Sequence, residues 1–436
     1  MDDYLSEETK LLFGEIHARI PPSVAPPALV FHFAVRDDGT GADDIIASLA
    51  PFGIAPGEAT VEVSPGSKTL YCKLPDMDFR WERHREFCSY TFIRPVPEDR
   101  VLSGAGAAFP QAYYRGIINK PALVACMVRV APESYDGMDP ARMREHFDNK
   151  TIFGGHILGR AASVWTTFRL RRNGFSDYIL FIDKLTGTQA GRALQAVLEI
   201  ETYRALAMLT FPVAVDLIAT MDGINRELGR ILKQIDASDV DEDEQAALAQ
   251  ATRVSAQIEE IRARTSFRFS ASAAYRRLIM ERLADLDEAP AGAANTATLS
   301  QFIKRRFEPA MRTCHYAGGE LESLAQRVAQ VVALLHTRVG VSVRRQQRAL
   351  LESMDRRAHR QAQLQHVVES FAVFAVTYYL VELIQKALEG GVIYFPGIQP
   401  QFFVMLSIVP VALMVWLVMR TVKGHLIRKL ERRGRK

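Results

Sequence analysis

From Ala28 to Asp183 the apolar residues come in short runs, rich in β-branched and aromatic side chains or alternating with polar ones. This period of two predicts strands at 28–36 (ALVFHFAVR), 68–74, 80–93 (RWERHREFCSYTFI), 121–130, 162–172 and 174–183. Turn formers separate them at Asp37–Gly39, Pro65–Gly66 and Asn173–Gly174, the last a hairpin signal. Residues 42–50 and 139–149 predict short helices between strands. Residues 1–185 are therefore expected to form a mixed α/β sheet domain, and the whole chain an α+β fold.

After Thr186 the period changes to that of helices. Gln189–Gln234 predicts a helix kinked or broken at Pro212. An acidic turn, DASDVDEDE, leads into a second helix over Glu244–Arg264, so the two should form an antiparallel hairpin. A further helix is expected over 270–287 and a linker at 289–296. Leu321, Leu324, Val328, Val331, Leu335 and Val339 then recur at spacings of three and four. That stripe predicts a coiled-coil-like stalk, which Gly318–Gly319 or Gly340 would be the places to interrupt. The helical hairpin and stalk domain is assigned to residues 186–366.

Residues 402–419 form an uncharged run of 18, long enough for a membrane span despite Pro410. The run from Ser370 to Ile384 is shorter and contains Glu382, but its neighbour and the Gly390–Gly391 break predict a two-helix transmembrane hairpin. The expected spans are about 368–387 and 402–420, within a membrane domain over 367–420, followed by a basic tail at 421–436. A third apolar stretch, Ala205–Ile218, covers 14 residues and includes Asp216, which suits a core helix instead.

The net charge of +4 hides an asymmetry: residues 420–436 carry +7, residues 337–366 carry +5, and the remainder carries −8. Basic charge thus flanks the spans, which favours anionic lipid headgroups over nucleic acid as a partner. Arg356, Arg357 and Arg360 precede the first span; Arg420, Lys423, Arg428 and Lys429 follow the second, while the connecting loop has no basic residue. The positive-inside rule then predicts a two-pass protein of the cytoplasmic (inner) membrane with both termini cytoplasmic. The acidic N-terminus is no secretory signal, and the four scattered cysteines suit a reducing compartment.

Candidate chemistry is sparse. On one continuous strand, Glu82, His84 and Glu86 would share a face and offer two carboxylates and an imidazole to a divalent cation. The competing expectation is an ion-paired strand face, with Arg83 and Arg85 opposite and His17 and Arg19 as distant candidates. Ser370, Thr377, Tyr378 and Gln385 fall broadly on one face of the first span, with Glu382 at its edge; the stripe either lines a pore, with Thr377, Glu382 and Gln385 as its candidates, or holds helices together. Phosphate-binding fingerprints, H-E-x-x-H and G-x-S-x-G are absent, so no catalytic residue is assigned and enzymatic activity is the weaker expectation.

Blocks distributed along nearly the whole chain carry a resemblance: EIHAR (15–19), WERHREF (81–87), VWTTFR (164–169), AGRALQAVLEIETYRALAML (190–209), RFSASAAY (268–275), PAMRTC (309–314), LLESMDRRA (350–358) and LQHVVESFAVFAVTYY (364–379). With these the chain resembles a family of uncharacterised bacterial membrane-anchored proteins defined by a domain of unknown function numbered 3422. It departs from that pattern at Ile20, which intervenes before Pro21, and at Ser370, where the family favours glycine. The resemblance implies topology and no catalytic residues. The layout also resembles that of CorA-type magnesium channels, although the loop at 389–401 lacks their Gly-Met-Asn signature. The leading expectation is accordingly a CorA-like homo-oligomer, joined through the 321–339 stripe, that conducts or senses a cation. The alternatives are a membrane-tethered scaffold or sensor that binds protein partners through its long helices, and a metal-dependent enzyme centred on residues 81–87.

Overall fold

The computed structural model describes residues 21–54, 61–63, 68–103, 108–132, 140–237, 241–290, 296–391 and 400–433. Its strands are β1 (Ala28–Arg36), β2 (Val61–Val63), β3 (Thr69–Lys73), β4 (Asp78–Arg83), β5 (Phe87–Pro95), β6 (Ala122–Ala131), β7 (Phe153–Ile157), β8 (Ala162–Leu170) and β9 (Ser176–Ile182). They form one mixed sheet in the order β2-β3-β4-β5-β1-β6-β9-β8-β7. The β6–β9 pair is parallel, because the chain between them makes a crossover that contains the β7–β8 hairpin. The helices are α1 (Ala42–Leu49), α2 (Pro140–His146), α3 (Gly187–Met208), α4 (Thr210–Ala237), α5 (Asp241–Asp285), α6 (Glu308–Gly391) and α7 (Pro400–Arg433), with shorter turns between some of them. The fold is α+β, as the periodicities require.

Alternation gives the sheet two different faces. Phe31, Phe33, Phe79, Trp81, Tyr90 and Phe92 point one way into an aromatic core that Ile45 and Leu49 of α1 help to close. The opposite face carries Val30, Cys126, Val128 and Tyr178, all buried, and is covered by α3. A buried hydrogen bond ties helix to sheet: Tyr178 donates to Glu201 at 2.7 Å, and Arg204 on the same helix grips both Glu201 oxygens at 2.8 Å. Burial pushes the Glu201 carboxyl up, but the guanidinium and the phenol outweigh it and hold the group below its ordinary value.

Three helices continue the core away from the sheet. The buried positions of α4 are Ala214, Leu217, Met221, Ile224, Leu228 and Ile231; those of α5 are Ala247, Ala251, Val254, Ile258 and Ile261. The first part of α6 contributes Ala317, Leu321, Leu324, Val328 and Val331. All three stripes alternate steps of three and four, the heptad pattern of helices packed side by side. Thr210 meets Arg268, and residues 227–234 line one cavity with residues 250–257, so α4 and α5 are antiparallel. Arg262–Glu322 and Arg276–Glu308 bridges run α6 antiparallel to α5.

Several sequence expectations are corrected. The strand expected at 80–93 is a tight hairpin: β4 stops at Arg83, and the His84 amide donates to the Phe87 carbonyl at 2.8 Å. Alternation passes through such a turn unbroken, so the pattern alone did not reveal it. A strand that the sequence reading did not expect, β7, contains Gly154–Gly155; Gly154 has φ +148°, and a Cβ there would lie 2.0 Å from the Val164 carbonyl oxygen. The helices expected at 244–264 and 270–287 are one helix, α5, with neither glycine nor proline inside it. Gly318, Gly319 and Gly340 leave α6 uninterrupted over its 84 residues, since a helical glycine costs only about 1 kcal/mol. Pro212 sits in the first turn of α4, where the missing N–H is harmless.

The chain divides into two units, Met1–Asp239 with Ala246–Ala333, and Val240–Gln245 with Leu334–Lys436. Three helical stretches are long and apolar enough to cross a membrane: Gly187–Ile235, Leu299–Glu389 and Val404–Val422. They differ in cover. A third of the apolar window of the first is buried, against 0% and 6% for the other two.

Candidate functional site

The helix-covered face of the sheet carries a polar row near the β4–β5 hairpin. His32, Thr91 and Arg80 are in register across β1, β5 and β4, so they form a row, with Ser89 and Glu82 in the next row. All five line a cavity of about 300 Å³. Its other wall is one face of α3, where Gln195, Leu198, Glu199, Thr202 and Tyr203 recur at helical spacing. Leu278 and Arg282 of α5, His84 and Phe87 of the β4–β5 hairpin, and Pro22 complete it.

The polar groups are knitted together. His32 Nδ1 lies 2.9 Å from Thr91 Oγ1, and its Nε2 lies 3.0 Å from Thr202 Oγ1. Burial, and then His84, pushes the His32 imidazole down to about 3, so it is neutral at neutral pH. Arg80 donates to Glu82 at 2.7 Å. Across the cavity Arg282 binds Glu199, and Gln195 Nε2 donates to Glu199 at 2.7 Å. Gln195 Oε1 is buried and has no partner among the described residues. The His84 ring stacks on Phe87 with centroids 4.2 Å apart, and Tyr203 stacks on Tyr275 at 5.5 Å. With both His32 nitrogens engaged and both acids held by arginines, the arrangement suits hydrogen bonding to a guest more than proton transfer.

A second cavity, of about 670 Å³, adjoins the first and shares Gln195 and Arg282 with it. Lys184, Arg192, Asp285 and Pro21 are among its lining residues. The chain entering at Pro22 lies flat on α3 because Gly191 permits it: a Cβ there would stand 1.7 Å from the Pro22 carbonyl oxygen.

The structure separates the residues that the sequence grouped for metal binding. Glu82 and His84 line the first cavity, but Glu86, beyond the turn, accepts hydrogen bonds from Arg268 at 2.7 Å and Tyr275 at 2.5 Å. The shared strand face of Glu82, His84 and Glu86 does not exist, because the strand ends between them. Among the described residues no three His, Cys, Asp or Glu side chains converge as metal ligands. His17 and Arg19 lie outside the described residues. The four cysteines are free and buried, and burial pushes the Cys72 and Cys88 thiols up to about 12, so neither is a ready nucleophile.

The candidates on the expected first span bond within their own helix. Thr377 donates to the Val373 carbonyl at 2.7 Å, Glu382 pairs with Lys386 at 2.9 Å, and Gln385 donates to Glu389 at 2.9 Å. Arg356, Arg357 and Arg360 are exposed, and Arg420 sits over the Trp416 ring at 5.1 Å. The side chains of Lys423, Arg428 and Lys429 are outside the described residues. Sequence reasoning missed His32, Arg80, Gln195, Glu199, Thr202 and Arg282. The available signal was a histidine inside the apolar strand ALVFHFAVR.

Three blocks that carry the family resemblance therefore meet around this site: WERHREF, AGRALQAVLEIETYRALAML and RFSASAAY. A family model described as a protein of unknown function (DUF3422) matches residues 8–426. The chain belongs to that family. No curated protein matches it. As a DUF3422 protein it carries a site lined by the hairpin of one block and the helix of another, while the third block, RFSASAAY, holds Glu86 of that hairpin through Arg268 and Tyr275.

Proposed function

We propose that this DUF3422 protein is a two-pass protein of the cytoplasmic membrane, with both ends inside, whose body is a tethered binding and sensing module. The observation that carries the tether is a pair of apolar helical segments with bare side chains, each bordered by basic charge. Phe371, Phe374, Tyr378 and Leu383 are 67–80% exposed, as are Met405 (75%) and Val409 (73%). Water is a poor solvent for such a surface and a bilayer a good one, so lipid is the medium that completes it. The basic groups on the outer sides of the two segments, and the base-free loop between them, support this orientation. Anionic headgroups are the partners of Arg356, Arg357, Arg360, Arg420, Lys423, Arg428 and Lys429 in this reading.

A binding body is favoured over a CorA-like cation pathway for two reasons. Leu321, Leu324, Val328 and Val331 are buried within a single chain, so that stripe is not free to join a homo-oligomer. Glu382 is neutralised by Lys386 on its own helix, which removes the charge a cation would seek. The metal-enzyme reading loses its premise with the broken strand.

Alkaline carbonate extraction of membranes containing the full chain tests the tether. The protein should remain in the pellet; release into the supernatant with peripheral proteins would contradict it.

A further inference from the structure

We infer that the two adjoining cavities form one site for a small phosphorylated polyol, with its hydroxyls against the sheet and its phosphate beside Lys184 and Arg192. This deepens the reading of the body as a binding module and does not depend on the membrane placement. The first argument is charge. In the cavity on the sheet, Arg80 is cancelled by Glu82 and Arg282 by Glu199. A free anion or cation there would have to break a largely buried pair, which is costly. A neutral guest rich in hydroxyls need not, because paired carboxylates and guanidiniums keep spare acceptor and donor positions.

The second cavity is different. Arg282 is already paired with Glu199 and Asp285, so the cations this cavity offers are Arg192 and Lys184, the latter largely exposed with Asp183 3.7 Å away. That basic mouth suits an anionic group that keeps part of its hydration. At the junction stands Gln195, whose amide nitrogen is taken by Glu199 and whose buried oxygen has no partner among the described residues. A buried acceptor without a donor is costly, and a ligand hydroxyl reaching between the cavities would satisfy it. The aromatic rings of Phe87 and Tyr203 add apolar contact for the carbon skeleton. Volumes of about 300 and 670 Å³ fall in the usual range for small-molecule sites.

The test is isothermal titration of the full-length protein in detergent with glucose 6-phosphate, glycerol 3-phosphate, ribose 5-phosphate, glucose, glycerol, ribose and inorganic phosphate. At least one ester should bind ten-fold or more tightly than both its own unphosphorylated polyol and inorganic phosphate. Arg192→Gln should weaken that ester at least five-fold without changing the melting temperature of the free protein. Gln195→Leu should weaken the ester while leaving any inorganic phosphate binding unchanged. No binding by any ester, inorganic phosphate binding as tightly as the best ester, or unaltered affinity in both variants would overturn the inference. Such a failure in protein that still resists carbonate extraction would remove the ligand and leave the tether standing.

Discussion

Two stretches of the same helix, α6, are rich in apolar residues, one as a stripe at spacings of three and four and the other as a nearly continuous run, and they meet opposite fates. Between Leu321 and Val331 the stripe is buried among helices of its own chain. Between Leu364 and Leu383 most of the apolar side chains, among them Val368, Phe371 and Phe374, are exposed, while Val373 and Val381 are half-buried. Periodicity therefore says which face of a helix is apolar, and not what covers it. One stretch is shielded by protein, and the other is left to the bilayer that the proposed function supplies. The coiled-coil-like helix expected at 321–339 is present, but its stripe is packed within the chain from Leu321 to Val331; a heptad pattern is the same for a neighbour within the chain and for a second copy.

The contrast can be broken by substitution. Leu324 is fully buried, so Leu324→Ala should cost about 2–5 kcal/mol in unfolding of the detergent-solubilised protein. A loss below ~1 kcal/mol would mean that the stripe is not packed as described. Next in size is Gly191→Ala, which forces a Cβ into the Pro22 carbonyl and should cost about 1–3 kcal/mol. Limited proteolysis should show the segment at Pro22–Val24 cut faster in that variant; unchanged cutting and melting would refute the close approach.

A pH titration sharpens the account of the first unit. The His32 imidazole is held near 3 in the fold and returns to about 6.5 on unfolding. As pH falls from 6.5 towards 3, the unfolded chain takes up a proton that the folded chain refuses. Stability should therefore drop by about 1.4 kcal/mol per pH unit across that window from this residue, and be unaffected by it above pH 6.5. His32→Asn should flatten the slope by that amount, and an identical slope in both proteins would show that His32 titrates normally. The smallest effect belongs to the second unit. Phe374, 80% exposed, should change unfolding of the first unit by less than about 0.5 kcal/mol when replaced by alanine. A loss like that at Leu324 would show that Phe374 is packed against protein.

Much of the fold is legible in the chain because it is local. The strand at 28–36 agrees with Ala28–Arg36, and the Asn173–Gly174 turn joins β8 to β9. The break near Pro212 and the family membership were equally readable. The hairpin at His84 was not, because charged residues keep alternating through it and no glycine or proline marks the turn. The site was less legible still. His32 finds Thr202 across 170 residues, and Glu86 finds Tyr275 across 189. Gln195, Glu199 and Arg282 each look like an ordinary polar helix position, and only long-range packing brings them to one cavity. Alternation had shown that Glu82 and His84 belong to a polar surface, but not that α3 would close over it.

The claim at the centre of this account is that the segments flanking residues 392–399 cross the membrane and return. Single-cysteine labelling tests it directly, since the four native thiols are buried and should stay silent. Gly397→Cys should react with a membrane-impermeant maleimide on intact spheroplasts, whereas Arg435→Cys should react only after lysis. A protected Gly397→Cys, or an Arg435→Cys labelled from outside, would contradict it.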